Sequence, residues 1–332
     1  MKEIKAAMLG LGSVNKNLLR IITDKKEVLA RDYGISFKVV VIADSSGYAR
    51  LDAGFDMLAL VSHKDNGGRV ADLAEFVGTS FDMSGLDVIF ESTPVDHKTG
   101  GEALKHCREA LGKGISVVLA NKGPVVHALL ELKALAAKNK AGLGYSATVC
   151  GGLPIINIGE RDMIAGKISK LSGVFNGTSN FVFDALKNGG SFDDAIREAQ
   201  AVGAAEADPS LDTGGWDTAF KLLIIANSIM GADIKLADIE VEGIENITAE
   251  MLIAEQSVGN TVKLVAKAED GKYSVKPMVI AEDSFLGSCN GWEMGVEIHS
   301  DLYGIMYHKL YEKEPIPTAA SMMRDAVNIF QI

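Results

Sequence analysis

Ile4-Lys5-Ala6-Ala7-Met8-Leu9-Gly10-Leu11-Gly12-Ser13-Val14-Asn15 is the stretch that decides the fold. Five of its first six residues are apolar, Lys5 being the exception, with little alternation, the pattern of a strand buried on both faces. Two glycines follow at once. Gly10 suits a tight turn, and Gly12 leaves bare backbone where a pyrophosphate can approach a helix N-terminus. Ser13 and Val14 then open a helix pattern that extends to about Arg31. The third fingerprint position, where glycine would allow close helix–strand packing, holds Asn15. A strand, a Gly-x-Gly turn and a helix in that order form the context a dinucleotide-binding motif requires.

Working outward, a second apolar run, Lys38 to Ala43, stops at Asp44-Ser45-Ser46-Gly47. An acidic residue ending the second strand accepts hydrogen bonds from a ribose 2′-hydroxyl, so Asp44 favours NAD. The hydroxyls of Ser45 and Ser46, with Arg50 close by, can instead hold a 2′-phosphate, and NAD against NADP stays open. Further buried-strand patterns lie at 87–90, 116–119 and 142–147, separated by helical stretches near 70–77, 98–112 and 124–140. Such alternation predicts a doubly wound parallel α/β sheet. Two strand ends carry Glu91-Ser92-Thr93-Pro94 and Ala120-Asn121-Lys122-Gly123-Pro124. They fall on the carboxyl edge of the sheet, where a nicotinamide would lie. Thr93 and Lys122 are therefore candidates for cofactor contact, and Lys122 for substrate contact as well.

The rhythm changes at Gly151-Gly152-Leu153-Pro154, a cluster that punctuates the chain. Beyond it, strand-like segments near 168–175, 239–243, 261–268 and 273–281 surround helices near 178–188, 192–202 and 215–230, an α+β arrangement. The expected division is a dinucleotide-binding Rossmann domain over 1–150 and a substrate-binding, catalytic and dimerisation domain over 151–314. A last helix, about 315–332, would return to the first domain.

The second domain contains Glu206 to Lys221, EADPSLDTGGWDTAFK, with Glu206, Asp208, Asp212 and Asp217 ahead of one lysine. The i,i+4 spacing puts Asp217 and Lys221 on one helical face. The strongly apolar continuation LLIIANSIM places that face at the mouth of a core, where a proton-transfer pair can meet a polar substrate. In isolation, a surface ion pair in the first turn of a helix explains the same two residues. Asp208 stands before Pro209 and reads as a turn former.

Composition narrows the field. With 332 residues and a net charge of −11, the chain lacks the basic balance that nucleic acid or anionic membrane surfaces demand. Cys107, Cys150 and Cys289 match no zinc or redox spacing, and reduced buried thiols in a cytoplasmic protein are expected. The six histidines form no HxxxH or HExxH pair. No apolar run approaches the roughly 18 residues of a membrane span, and the N-terminus enters a strand without a signal-peptide core.

Taken together, these segments resemble homoserine dehydrogenase in its short form, without a regulatory C-terminal domain. The resemblance rests on GLGSV at 10–14, ADSSG at 43–47, ESTP at 91–94, ANKGP at 120–124 and ATVCGGLPII at 147–156. It continues through GVFNGTSNF at 173–181, GAAEADPSLDTGGWDTAFKLLIIAN at 203–227, VEGIENIT at 241–248 and PTAASMMRD at 317–325. It implies NAD(P)-dependent interconversion of L-homoserine and L-aspartate 4-semialdehyde by a homodimer. It assigns Glu206 and Asp212 to the substrate's amino and hydroxyl region, with Gly177 and Thr178 in the pocket. Lys221, with Asp217 beside it, becomes the acid–base residue, and Lys122 near the nicotinamide is the other candidate proton donor. The carbonyls of Val149, Gly151 and Leu153 fall where the family builds a sodium or potassium site, although Ser146 replaces a glutamate often found beside it. The charged stretch HKLYEKEP at 308–315 replaces a Gly-rich loop. The rival readings are another amino-acid dehydrogenase, acting on aspartate for example, and a nucleotide-sensing protein without turnover.

Overall fold

The computed structural model describes residues 1–201 and 208–331, and the chain divides into two compact units. Unit 1 comprises Met1–Gly152 together with Glu314–Ile332, and unit 2 comprises Leu153–Lys313.

Unit 1 is built on a seven-stranded sheet. Its strands are β1 (Lys2–Leu9), β2 (Ile35–Asp44), β3 (Gly47–Arg50), β4 (Phe76–Gly78), β5 (Val88–Glu91), β6 (Ser116–Leu119) and β7 (Leu143–Gly144). They lie in the order β4-β3-β2-β1-β5-β6-β7. The five from β2 to β7 are mutually parallel, while β3 and β4 add an antiparallel edge beyond β2. Val88, Ile89, Phe90, Val117, Val118 and Leu119 are all fully buried, as parallel strands covered on both faces require. The strand order reverses between β1 and β5, so the loops leaving their carboxyl ends flank the crevice where α/β sheets bind ligands.

Several sequence expectations for this unit need correction. The long first helix is two, Ser13–Asp24 and Lys26–Tyr33, broken at Lys25 and ended by Gly34 in the left-handed region. The helical pattern near 70–77 is instead one 3-10 turn, Val70–Asp72, and the edge strand β4. The true helix of that region is Met57–Asp65, started by the Asp56 carboxylate accepting from Leu58 and Ala59 amides. The helix Ile316–Phe330 lies within this unit, and its Ala319, Met322, Ala326 and Phe330 share a core with Leu18, Leu19 and Ile22.

Unit 2 carries a six-stranded sheet of β8 (Ile168–Val174), β9 (Ile239–Val241), β10 (Asn260–Glu269), β11 (Lys272–Ala281), β12 (Glu293–Ser300) and β13 (Gly304–Tyr311), ordered β13-β12-β8-β10-β11-β9. All neighbours are antiparallel except β11 and β9. The charged 308–315 segment is not a loop throughout, because His308 to Tyr311 end β13, paired with Glu293 to Val296 of β12. β13 is an edge strand whose residues alternate between partly buried and exposed, and edges carry charge without loss of pairing. The helices Gly177–Lys187 and Trp216–Ile229 belong to this unit. The second of them is buried along most of its length, from Asp217 to Ala226.

Candidate active site

The residues that the sequence offers for a cofactor lie in unit 1. Gly10 has φ +81°, and a Cβ there would stand 2.8 Å from both the Ser92 carbonyl and the Thr93 amide nitrogen. Only glycine lets the two crevice loops approach so closely. Gly12 is different, since a Cβ on it would meet nothing within 4 Å of protein. The open space belongs to whatever lies against the turn. Gly12 caps the helix with no side-chain hydrogen bond, leaving the first-turn amides of Ser13, Val14 and Asn15 without a side-chain acceptor. An uncapped helix start over open space fits a pyrophosphate.

Asn15 repays its departure from the fingerprint in structure. It is completely buried, and its Nδ2 lies 3.1 Å from the Leu9 carbonyl, 3.0 Å from that of Gly10 and 3.3 Å from that of Phe90. The side chain thus staples the helix start to the ends of β1 and β5.

Asp44 ends β2 as expected, but its carboxylate is already occupied. Oδ1 accepts from the Ser46 amide at 2.8 Å and the Ser46 hydroxyl at 2.5 Å. Oδ2 accepts from Lys64 Nζ at 2.7 Å and the Val70 amide at 2.9 Å. Burial pushes this carboxyl up, but the bonds from Lys64, Ser46 and Val70 outweigh it and hold it well below the usual range. A ribose hydroxyl must therefore share an oxygen with existing donors. Ser45 sits exposed at the turn, and Arg50 is committed to Asp52, Asp82 and the Ser84 carbonyl.

Thr93 is held by a carboxyl that the sequence did not single out. Glu91 has no exposed surface; its Oε1 accepts from the Thr93 amide at 2.8 Å and from the Thr93 hydroxyl. Burial raises the pKa of Glu91, more than these bonds lower it. Asn121 Nδ2 donates to the same hydroxyl at 3.2 Å, and Asn121 Oδ1 accepts from the Gly123 amide at 2.9 Å. Lys122 lies between these last two residues, at the start of the helix Gly123–Asn139.

Unit 2 brings together the polar residues around Lys221. Lys221 Nζ lies 2.6 Å from Asp217 Oδ2, with side chains only 13% and 11% exposed, and donates to the Phe175 carbonyl at 2.6 Å. Asn176 Nδ2 joins this pair to Asp212, at 3.2 Å from Asp217 Oδ2 and 2.6 Å from Asp212 Oδ1. The other end of the same amide caps the helix Gly177–Lys187, Oδ1 accepting from the Ser179 amide at 2.8 Å. Gly177 begins that helix, and Thr178 is buried in its first turn. The sequence reading missed Asn176; the signal available for it was an asparagine directly before a helix start. Glu206 lies outside the described residues.

Two of the three carbonyls considered for a monovalent cation, those of Gly151 and Leu153, each accept a hydrogen bond. The Gly151 carbonyl accepts from the Ser321 hydroxyl at 2.9 Å. The Leu153 carbonyl, in unit 2, accepts from the Ile155 amide at 2.9 Å. Each of these two carbonyls thus already carries a hydrogen bond, and Ser146 brings no carboxylate to the Gly151 side. Among the described residues no group of three or more His, Cys, Asp or Glu side chains could hold a metal, and no helix is long and apolar enough to cross a membrane.

Residues 154–327 match the family model described as homoserine dehydrogenase. A homoserine dehydrogenase of Methanocaldococcus jannaschii is 34% identical, with 97% of each chain covered. The chain belongs to the homoserine dehydrogenase family. An NAD(+)-dependent homoserine dehydrogenase of Pseudomonas canavaninivorans is 31% identical over 100% of this chain and 97% of its own. Among solved structures, a hyperthermophilic archaeal homoserine dehydrogenase in complex with NADPH superposes with a TM-score of 0.84 at 28% identity, covering 98% of this chain and 97% of that one. The homoserine dehydrogenase match spans the whole Asn176–Asp212–Asp217–Lys221 cluster.

Proposed function

We infer that this chain is an NAD(P)-dependent homoserine dehydrogenase, interconverting L-homoserine and L-aspartate 4-semialdehyde in the aspartate pathway. One observation carries the reading: a buried Lys221–Asp217 pair, tied through Asn176 to Asp212, inside the region that matches the family.

The nicotinamide, when bound, supplies the hydride chemistry. Gly12, Ser13 and Val14 would hold its pyrophosphate, Gly10 keeping the turn tight. Asp44 and Ser45 would meet the adenosine ribose, and Thr93 and Lys122 would flank the nicotinamide end. An NAD(+)-dependent relative and a neighbour in complex with NADPH support either nucleotide here, and Asp44, already accepting from Lys64, Ser46 and Val70, does not decide between them. The protein's own task is to place the substrate and move one proton. In aldehyde reduction, Lys221 Nζ gives a proton to the aldehyde oxygen as C4 gains its hydride. In oxidation it takes the proton of the C4 hydroxyl. Asp217 and the Phe175 carbonyl fix the direction of the amine, an orientation that proton transfer needs. Asp212 and Glu206 would bind the substrate ammonium. The helix start at Gly177 and Thr178 suits its carboxylate. A cytoplasmic homodimer belongs to the same reading, supported by Ile305, Tyr307 and Tyr311 standing exposed on the edge strand β13.

The test is absorbance of reduced nicotinamide with purified protein, NAD or NADP, and either L-homoserine or L-aspartate. Homoserine-dependent reduction is expected. Reduction with aspartate alone would favour the aspartate-type enzyme, and nucleotide binding without any turnover would favour a sensor.

A further inference from the structure

The loop after β7, Tyr145–Gly152, is held by four polar side chains that the reaction does not use. Ser146 and Ser321 are each 2% exposed and Asp325 is 6% exposed. The Ser146 amide donates to Asp325 Oδ2 at 2.9 Å, and its hydroxyl donates to Asp325 Oδ1 at 2.6 Å. Arg324 Nη2 lies 3.1 Å from Ser146 Oγ and 3.2 Å from Ser321 Oγ. The Ser321 hydroxyl in turn donates a hydrogen bond to the Gly151 carbonyl at 2.9 Å.

The hydrogen count closes. A guanidinium nitrogen carries two hydrogens, one for each serine oxygen, and each serine keeps one hydrogen to give. One chain runs from Arg324 through Ser146 to the Asp325 carboxylate, the other from Arg324 through Ser321 to the Gly151 carbonyl. The fixed positive charge therefore acts, one hydroxyl away, on a carbonyl that the family resemblance gives to a monovalent cation. A cation at that carbonyl would compete with a hydroxyl that the guanidinium already orients, two hydrogen bonds from Arg324. The loop also needs holding, because Cys150 has φ +51° and Gly151 φ +53°, a conformation a non-glycine residue keeps only when its surroundings impose it.

We propose that Arg324 replaces the monovalent cation in this chain, ordering the Tyr145–Gly152 loop through Ser146 and Ser321, so that stability and turnover do not respond to sodium or potassium. The proposal rests on the homoserine dehydrogenase reading, which supplies the cation site that is replaced. Arg324 is a positioning residue in this account, acting through the two serines.

The experiment titrates the purified protein with sodium or potassium chloride against choline chloride at constant ionic strength. It is read by melting temperature without substrate and by homoserine-dependent nucleotide reduction. Neither ion should move Tm or kcat beyond the choline control. A saturable rise in Tm, or a saturable several-fold rise in kcat, with either ion would overturn the proposal. Since Tm is read without substrate, protein inactive on homoserine would count against the activity reading and still answer the ion question. Arg324→Met should melt lower and gain a saturable response to sodium or potassium. A variant with wild-type Tm and kcat would show that the guanidinium holds nothing there and would equally overturn the idea. Should Arg324→Met fail to fold, the wild-type titration decides alone.

Discussion

Asn15 shows how a single side chain can depart from a fingerprint and still serve it. Restoring the motif glycine, Asn15→Gly, removes the donor shared by the Leu9, Gly10 and Phe90 carbonyls. The Leu9 and Gly10 carbonyls keep the Ser92 amide and hydroxyl, so what is lost is the shared side-chain donor, at about 0.5–1.5 kcal/mol per net hydrogen bond; the variant should be less stable than the parent, as measured by urea unfolding. Equal or higher stability would mean the staple contributes nothing. Glu91 gives a pH signature. Its folded-state pKa is raised above the ordinary 4.5, so its contribution is fully present below that value and is lost as pH rises through the folded pKa. Glu91→Gln imitates the neutral acid and should flatten the decline of Tm above pH 4.5; an unchanged Tm–pH profile would argue that Glu91 titrates normally. At this scale the sequence was informative where chemistry is local. The Asp217–Lys221 pair was legible because helical spacing alone brings i and i+4 together. Glu91, the Asn176 bridge and the Lys64 partner of Asp44 were not, because each depends on residues brought close by the fold, as Asn176 is to Asp212 and Asp217 across 36 and 41 residues of chain.

Among elements, the turn from β1 into the helix Ser13–Asp24 carries the most weight. Gly10→Ala places a Cβ 2.8 Å from the Ser92 carbonyl and forces a left-handed backbone on alanine, at a cost of roughly 1–2 kcal/mol before the clash is counted. The loops at the β1–β5 crevice must then part. The KM for NAD(P) should rise about tenfold or more while the KM for homoserine changes less; an unaltered nucleotide KM would dissociate this turn from the cofactor. The central parallel strands were readable because continuous apolar runs bounded by turn signals have few other interpretations. The β12–β13 hairpin was hidden by its composition. His308, Lys309 and Tyr311 look like a charged loop, but an edge strand pairs through its backbone whatever its outward side chains are. The helix-like spacing near 70–77 misled for the opposite reason: local periodicity yielded to the chance for Phe76–Gly78 to extend the sheet beside β3.

For the whole molecule, the account is of an enzyme whose nucleotide cradle and proton-transfer cluster are carried by different units. The two kinds of damage should therefore separate kinetically. A lesion in the Gly10–Val14 cradle falls on the nucleotide KM, and a lesion at Lys221 on kcat. The fold class and family were visible from motifs strung along most of the sequence, whereas the partners of the acidic cluster became visible only with the chain folded. The central claim is that Lys221 moves the proton, and steady-state kinetics of Lys221→Ala beside the parent test it most directly. The account predicts a kcat on L-homoserine lowered by about 10²-fold or more, as for loss of a general acid–base group, with the KM for NAD(P) little changed. Near-parental turnover in Lys221→Ala would contradict it and move the proton transfer to Lys122.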